Sequence, residues 1–321
     1  MNDRRPGGDE TETIDSGHRK RTERSSAESR ESSDAEGRTA PSTPPAEPGS
    51  SPPGGREPGE TAGRGWAALA FALAVVSLVT AGTTAAAHDA ALAATGAVAL
   101  AVGFGALGAL ALTGGLGIAA GLAEGWAEHR LYVWFATALF AGGVLIGGAL
   151  VAAGVDLTEL FFELVMEEFD EGEFAEGGGE IELSATFFIV QNTPPFLVAI
   201  LGALTLGLVT AFIMVFNGIL VGNLAIVTGL EVGFGPIVAL LVPHGIFELP
   251  ALFIASGVGF RFLHRVVQRI SGSRDALFTK SYAYRTALLI VFGWLLLVLA
   301  AFVEAYLTAV VAETLFPQLG E

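Results

Sequence analysis

Three ionisable side chains stand inside otherwise apolar sequence in the second half of the chain: His244, Glu248 and Glu304. Ionisable groups at membrane depth are expensive, so each is a candidate functional residue. His244 and Glu248 are four residues apart, on one face of a helix. Pro243 and Pro250 bracket them. Each proline removes a backbone donor and crowds the carbonyl four residues earlier, here those of Ala239 and Ile246. Gly245 would admit another backbone closely. The segment therefore reads as a kinked, locally polar helix. Asn192, Asn217 and Asn223 add polar groups near helix ends or inside apolar runs. The loosened carbonyls could accept a hydrogen bond from Asn217 or from a protonated Glu248.

Such a set supports three kinds of chemistry. In a structural clasp, His244, Glu248 and an asparagine satisfy one another and fix helix packing. A path for a substrate or proton would use the same residues. A metal site is the third: ligands at i and i+4 suit zinc, but at least one more ligand and a bound water are needed. The chain has no HExxH motif, and His264 falls among basic residues. The sequence reading favours the clasp, with no metal, no cofactor and no catalytic residue. There are no cysteines, which excludes disulfides, thiolate ligands and cysteine nucleophiles.

The elements that must position these residues are membrane spans. Hydrophobic residues make up 52% of the 321, mean hydropathy is +0.58, and polar and apolar residues are segregated along the chain. Residues 1–65 are rich in Ser, Glu, Arg, Pro, Gly and Thr and cannot bury enough apolar area to offset the entropy of ordering. They read as a disordered cytoplasmic tail. Apolar runs follow at Trp66–Ala87, Ala90–Ala123, Leu131–Val155, Phe196–Phe216, Ile219–Leu230, Pro236–Phe260 and Ala287–Ala309. A span needs about 20 apolar residues as a helix. Ala90–Ala123 suits a tilted or broken helix. Glu124 to Arg130 reads as a short polar connection. Ile219–Leu230 is short enough to re-enter rather than cross. The fold class is all-α, a polytopic transmembrane helical bundle of about seven spans.

Charge sets an expected orientation. Arg261, Arg265, Arg269, Arg274, Lys280 and Arg285 form a basic loop opposed only by Asp275. Positive loops stay cytoplasmic. Seven spans then put the N-terminal tail inside, and the acidic stretch 156–184 and the C-terminus outside, in a plasma membrane. That stretch lacks the ligand order of an EF-hand and reads as an amphipathic start followed by a solvated loop. The net charge of −16 and the lack of a concentrated basic face argue against nucleic acid as a partner. Only two of the 17 basic residues are lysines, a bias that suits either a salt-loaded cytoplasm or a GC-rich genome. Gly143 with Gly147, Gly218 with Gly222 and Gly117 with Gly121 have the four-residue spacing that lets helices pack closely, read as packing within the chain, with a homo-oligomer also compatible.

From Gln191 the chain reads QNTPPFLVAILGALTLGLVTAFIMVFNGILVGNLAIVTG, then PHGIFELPALFIASGVGFRF, and later AAFVEAYLT. This resembles the stage II sporulation protein M family over roughly residues 130–316. The family's asparagine ahead of a Gly-rich span falls at Asn192, where Gln191 replaces a second asparagine. Its NG-x-x-x-G segment falls at Asn217, Gly218 and Gly222. Its PHG-x-x-E-L-P segment falls at Pro243, His244, Gly245, Glu248 and Pro250, and its late A-x-x-E-A segment at Glu304. The resemblance implies extra spans over residues 66–125 ahead of a family membrane domain at 126–316. It implies a non-enzymatic scaffold or assembly component, embedded in the lipid bilayer beside membrane-protein partners. In spore formers the family member belongs to a complex that recruits cell-wall hydrolases. The family is also similar to ABC-2-type permeases, which implies as an alternative a permease-like component. No G-x-x-x-x-G-K-[ST] loop occurs here, so an ATPase would be a separate chain.

Overall fold

A computed structural model describes residues 58–88, 90–113, 117–161, 163 and 183–317. The tail up to residue 57 and most of the acidic stretch lie outside the described residues. The elements are α1 (Pro58–Ala87), α2 (Ala91–Thr113), α3 (Ile118–Ala152), α4 (Ala185–Leu201), a 3₁₀ turn (Gly202–Thr205), α5 (Leu208–Val232), α6 (Phe234–Ile270), α7 (Lys280–Val303), a π turn (Glu304–Thr308) and α8 (Ala309–Leu315). Among the described residues, seven helices are long and apolar enough to cross a membrane, the last running from Lys280 through Leu315. The protein is a multi-pass all-α bundle.

Several boundaries differ from the sequence reading. Residues 58–65 already belong to α1 rather than to a tail. Of the two forms expected for Ala90–Ala123, tilted or broken, the structure has the broken one, since α2 ends at Thr113 and α3 starts at Ile118. The expected polar connection from Glu124 to Arg130 is helix throughout, inside a 35-residue α3. Its two glutamates, Glu124 and Glu128, pair with arginines on neighbouring helices, so they do not end it. The expected break at Asn217 is absent. Asn217 Nδ2 donates to the carbonyl of Ile213 at 2.9 Å, which satisfies the amide within its own helix. The chain turns instead at Leu206 and Gly207, both at positive φ (56° and 76°). Thr210 Oγ1, donating to Ala199 O at 2.9 Å, closes that turn. The 25-residue α5 is thus long and apolar enough to cross, in place of the short segment read at Ile219–Leu230. α4 begins before its prolines, capped by Ser184, whose Oγ accepts from Phe187 N.

Burial is uneven. In the last span 67% of the apolar window is buried, against 17–39% in the other six. α7 is therefore the central pillar. Leu289, Leu297, Leu299 and Val303 on it are enclosed by Phe196 of α4, and by Ala251, Ile254 and Val258 of α6. α1 and α2 pair with each other and reach the pillar through Trp66, edge-on to Phe292 with centroids 5.3 Å apart.

The tightest crossing joins α3 to α5. Cβ atoms added at Gly143 and Gly147 would collide with the carbonyls of Val215 and Ile219, and at Gly218 and Gly222 with those of Phe140 and Val144. Two glycine pairs thus interlock backbone to backbone, as their spacing predicts. Asn223 locks the end of this crossing. Its Nδ2 donates to Val155 O (2.9 Å) and Gly147 O (3.3 Å), and its Oδ1 accepts from Leu157 N (2.8 Å). Gly121, by contrast, packs on the side chains of Leu288 and Tyr284 of α7.

Gly147→Ala should lower stability by about 1–3 kcal/mol through overpacking against a backbone that cannot yield. Gly142→Ala faces open space and should be neutral or slightly stabilising. Thermal unfolding of the two purified variants checks the contrast.

Candidate functional site

α6 carries His244 and Glu248 through a segment containing Pro243 and Pro250, and it remains one continuous 37-residue helix. The last span departs from α geometry at Glu304, where the π turn runs to Thr308. Thr308 Oγ1 donates to Val303 O at 3.1 Å, across the widened turn. Single π turns inside α-helices are frequent at functional sites because they re-aim side chains. His88, between α1 and α2, approaches the same turn, with Nε2 3.0 Å from the carbonyl oxygen of Tyr306. A carbonyl only accepts, so this contact requires the proton on Nε2.

The fold brings Glu304 to the His244–Glu248 pair. One imidazole nitrogen of His244 and one carboxylate oxygen from each glutamate lie within 4.8 Å of one another. All three residues are half-buried. His244 Nδ1 is buried and makes no hydrogen bond. Two carboxyl groups this close, away from water, cannot both carry charge without a proton or a cation between them. Asn217 does not join the group, since it turns back on its own helix. Asn192 is half-buried on α4, which packs against α6, α7 and the π turn. Gly245 corrects an expectation: a Cβ there would meet nothing within 4 Å, so no backbone approaches it.

A second polar cluster sits where α3 begins, α6 ends and α7 begins. Helices of 35 and 37 residues are about 52 and 55 Å long, well beyond a hydrocarbon core of about 30 Å, and their surplus turns carry charge. Glu128 is the hub. Its Oε1 accepts from Arg261 Nη2 (2.9 Å) and Arg265 Nη1 (3.2 Å), and its Oε2 from Arg285 Nη2 (3.2 Å). Arg285 Nη1 also reaches Glu124 Oε2 at 2.8 Å. Arg265 is 2% exposed, donates from Nε to Leu277 O at 2.9 Å and lies over the ring of Tyr282 at 3.6 Å. Beneath it, buried His129 has Nδ1 2.7 Å from Gly125 O and its ring stacked on Tyr282. Arg261, Arg265 and Arg285, expected in a free basic loop, are thus helical and paired. The connection itself is only residues 271–279.

Sequence reasoning named the triad residues but missed this hub. A signal was present: glutamates at 124 and 128, and arginines at 261 and 265, each pair spaced four apart.

Residues 136–309, more than half of the chain, match the family model described as Stage II sporulation protein M. The chain belongs to this family. The matched region contains His244, Glu248, Glu304 and both interlocking glycine pairs, whereas Glu124, Glu128, α1 and α2 precede it. An uncharacterized protein of Methanocaldococcus jannaschii is 29% identical over 138 residues, covering 42% of this chain and 76% of the relative. No solved structure matches.

Glu128→Ala should destabilise the fold by about 3–5 kcal/mol, because it leaves buried Arg265 uncompensated. Glu124→Ala, whose side chain is 60% exposed, should cost no more than about 1 kcal/mol. Denaturation midpoints in one detergent compare the two.

Proposed function

We propose that the protein is a non-enzymatic scaffold or assembly component of a complex in the plasma membrane, receiving a partner's transmembrane helix on its flank. One observation carries this reading. The largest described cleft, about 820 Å³, opens sideways between α1, α3, α6 and α7 and is almost wholly apolar. Trp66, Trp126, Trp134, Phe247 and Phe253 line it, with the Thr137 hydroxyl a rare polar group. A polar substrate would find almost no partners along such walls. A hydrophobic helix would find aromatic side chains of the kind that dominate binding hot spots. The His244–Glu248–Glu304 cluster lines none of the described clefts.

The orientation proposed with it puts the N-terminus and the 271–279 connection in the cytoplasm, and the acidic stretch and C-terminus outside. Arg269, Arg274 and Lys280 supply the positive bias at that connection.

Ala72 lines the cleft and is exposed, so Ala72→Trp narrows it without disturbing the core. Co-purification from native membranes in mild detergent should recover a membrane protein with the wild type and at least several-fold less with Ala72→Trp. Equal recovery from both would remove the cleft as the docking face. Co-purifying phospholipid lost in the variant, with no protein lost, would make it a lipid site. Since the chain has no cysteine, single cysteines introduced at Ser273 and Glu171 test the orientation. External reagent should label only the second.

A further inference from the structure

His244 and Glu248 share a helical face, and the π turn at the head of α8 brings Glu304 to them from another span. The sequence lacked a third ligand for this pair, and the fold supplies it. Three features bear on what occupies the space between them.

The first is spacing. The three donor atoms fall within 4.8 Å of one another, yet among the described residues none hydrogen-bonds to another. A clasp of mutually satisfied groups would show those bonds. Nitrogen and oxygen ligands at about 2.0–2.2 Å from a tetrahedral ion stand roughly 3.4 Å apart. Small rotamer changes bring the observed spacing to that value. The second is the unmet polar demand. His244 Nδ1 is buried with no partner, and a buried donor or acceptor left unmade is costly. The third is charge. Two carboxylates and a neutral imidazole around a dication sum to zero, the only total that low-dielectric surroundings tolerate cheaply.

We propose that His244, Glu248 and Glu304 bind one divalent transition-metal ion of the zinc class. An imidazole with two carboxylates suits zinc and its first-row neighbours, whereas magnesium and calcium prefer all-oxygen shells of six or more ligands. Water completes the coordination. The ion ties α6 to the last span where prolines and the π turn weaken both backbones. This site stands independently of the scaffold reading.

The test uses the full chain, purified in detergent with a tag that contains no histidine and stripped with chelator. Titration with Zn²⁺, followed by equilibrium dialysis and metal analysis, should show one equivalent bound per chain. Glu304→Gln and His244→Ala should each lower affinity by more than about tenfold, the smallest loss that removing an outer partner brings. Zn²⁺ should raise the melting temperature of the wild type and leave that of Glu304→Gln unchanged. Co²⁺ added to wild type should develop the strong visible absorption of a four- or five-coordinate ion, a readout that needs no variant to fold. Well-folded wild type that binds no stoichiometric Zn²⁺, or leaves Co²⁺ with its aqueous spectrum, overturns the proposal. So does undiminished Zn²⁺ binding in Glu304→Gln, which would place the ion elsewhere, for example on the acidic stretch.

Discussion

Inside a hydrocarbon slab a polar group has no water to turn to, so every donor, acceptor and charge must be answered by the protein itself. That constraint organises this molecule. It makes each crossing helical. It explains why Asn217 folds onto Ile213 and why Asn223 spends all three of its observed bonds at the α3 terminus. At the charged end of the bundle, beyond the hydrocarbon, Glu128 has three arginine partners and α3 continues through it.

Different parts of the bundle meet the constraint by different means. At the α3–α5 crossing there is little polar to satisfy, and glycines let backbones touch so that dispersion does the work. Where α3, α6 and α7 meet at one end, the helices outrun the hydrocarbon and charge becomes affordable, provided it is paired. Around His244, Glu248 and Glu304 the helices have not left the apolar region, and the protein's own hydrogen bonds do not answer the polar groups. The contrast with the Glu128 hub sets this cluster apart: there every carboxylate oxygen meets an arginine, while here three donors surround a space.

Span number, the paired glycines and the polar residues at membrane depth were legible in the sequence, because each leaves a local signature of hydropathy, spacing or an isolated charge. Boundaries were less so. A polar residue such as Asn217 looks like a break until its side chain is seen to bond its own helix, and the true turn at Leu206 and Gly207 is written in apolar letters. Glu124 to Arg130 looked like a connection because their partners lie far along the chain. Gly245 looked like a contact and is open space. For the site, sequence marked Glu304 as unusual but could not seat it beside His244, since a π turn has no sequence signature of its own.

The helices that precede the family match add a last constraint. Phe302 packs over Gly96 of α2, where a Cβ would lie 2.8 Å from the ring. His88 meets the carbonyl of Tyr306, and Trp66 meets Phe292. α1, α2 and His88 thus touch the central span at three levels, at Phe292, Phe302 and Tyr306. A family core without such helices would expose these positions, including the carbonyl that His88 satisfies, to lipid or to a partner subunit. In this chain those contacts come from the same polypeptide, so the π turn that positions Glu304 is braced from within.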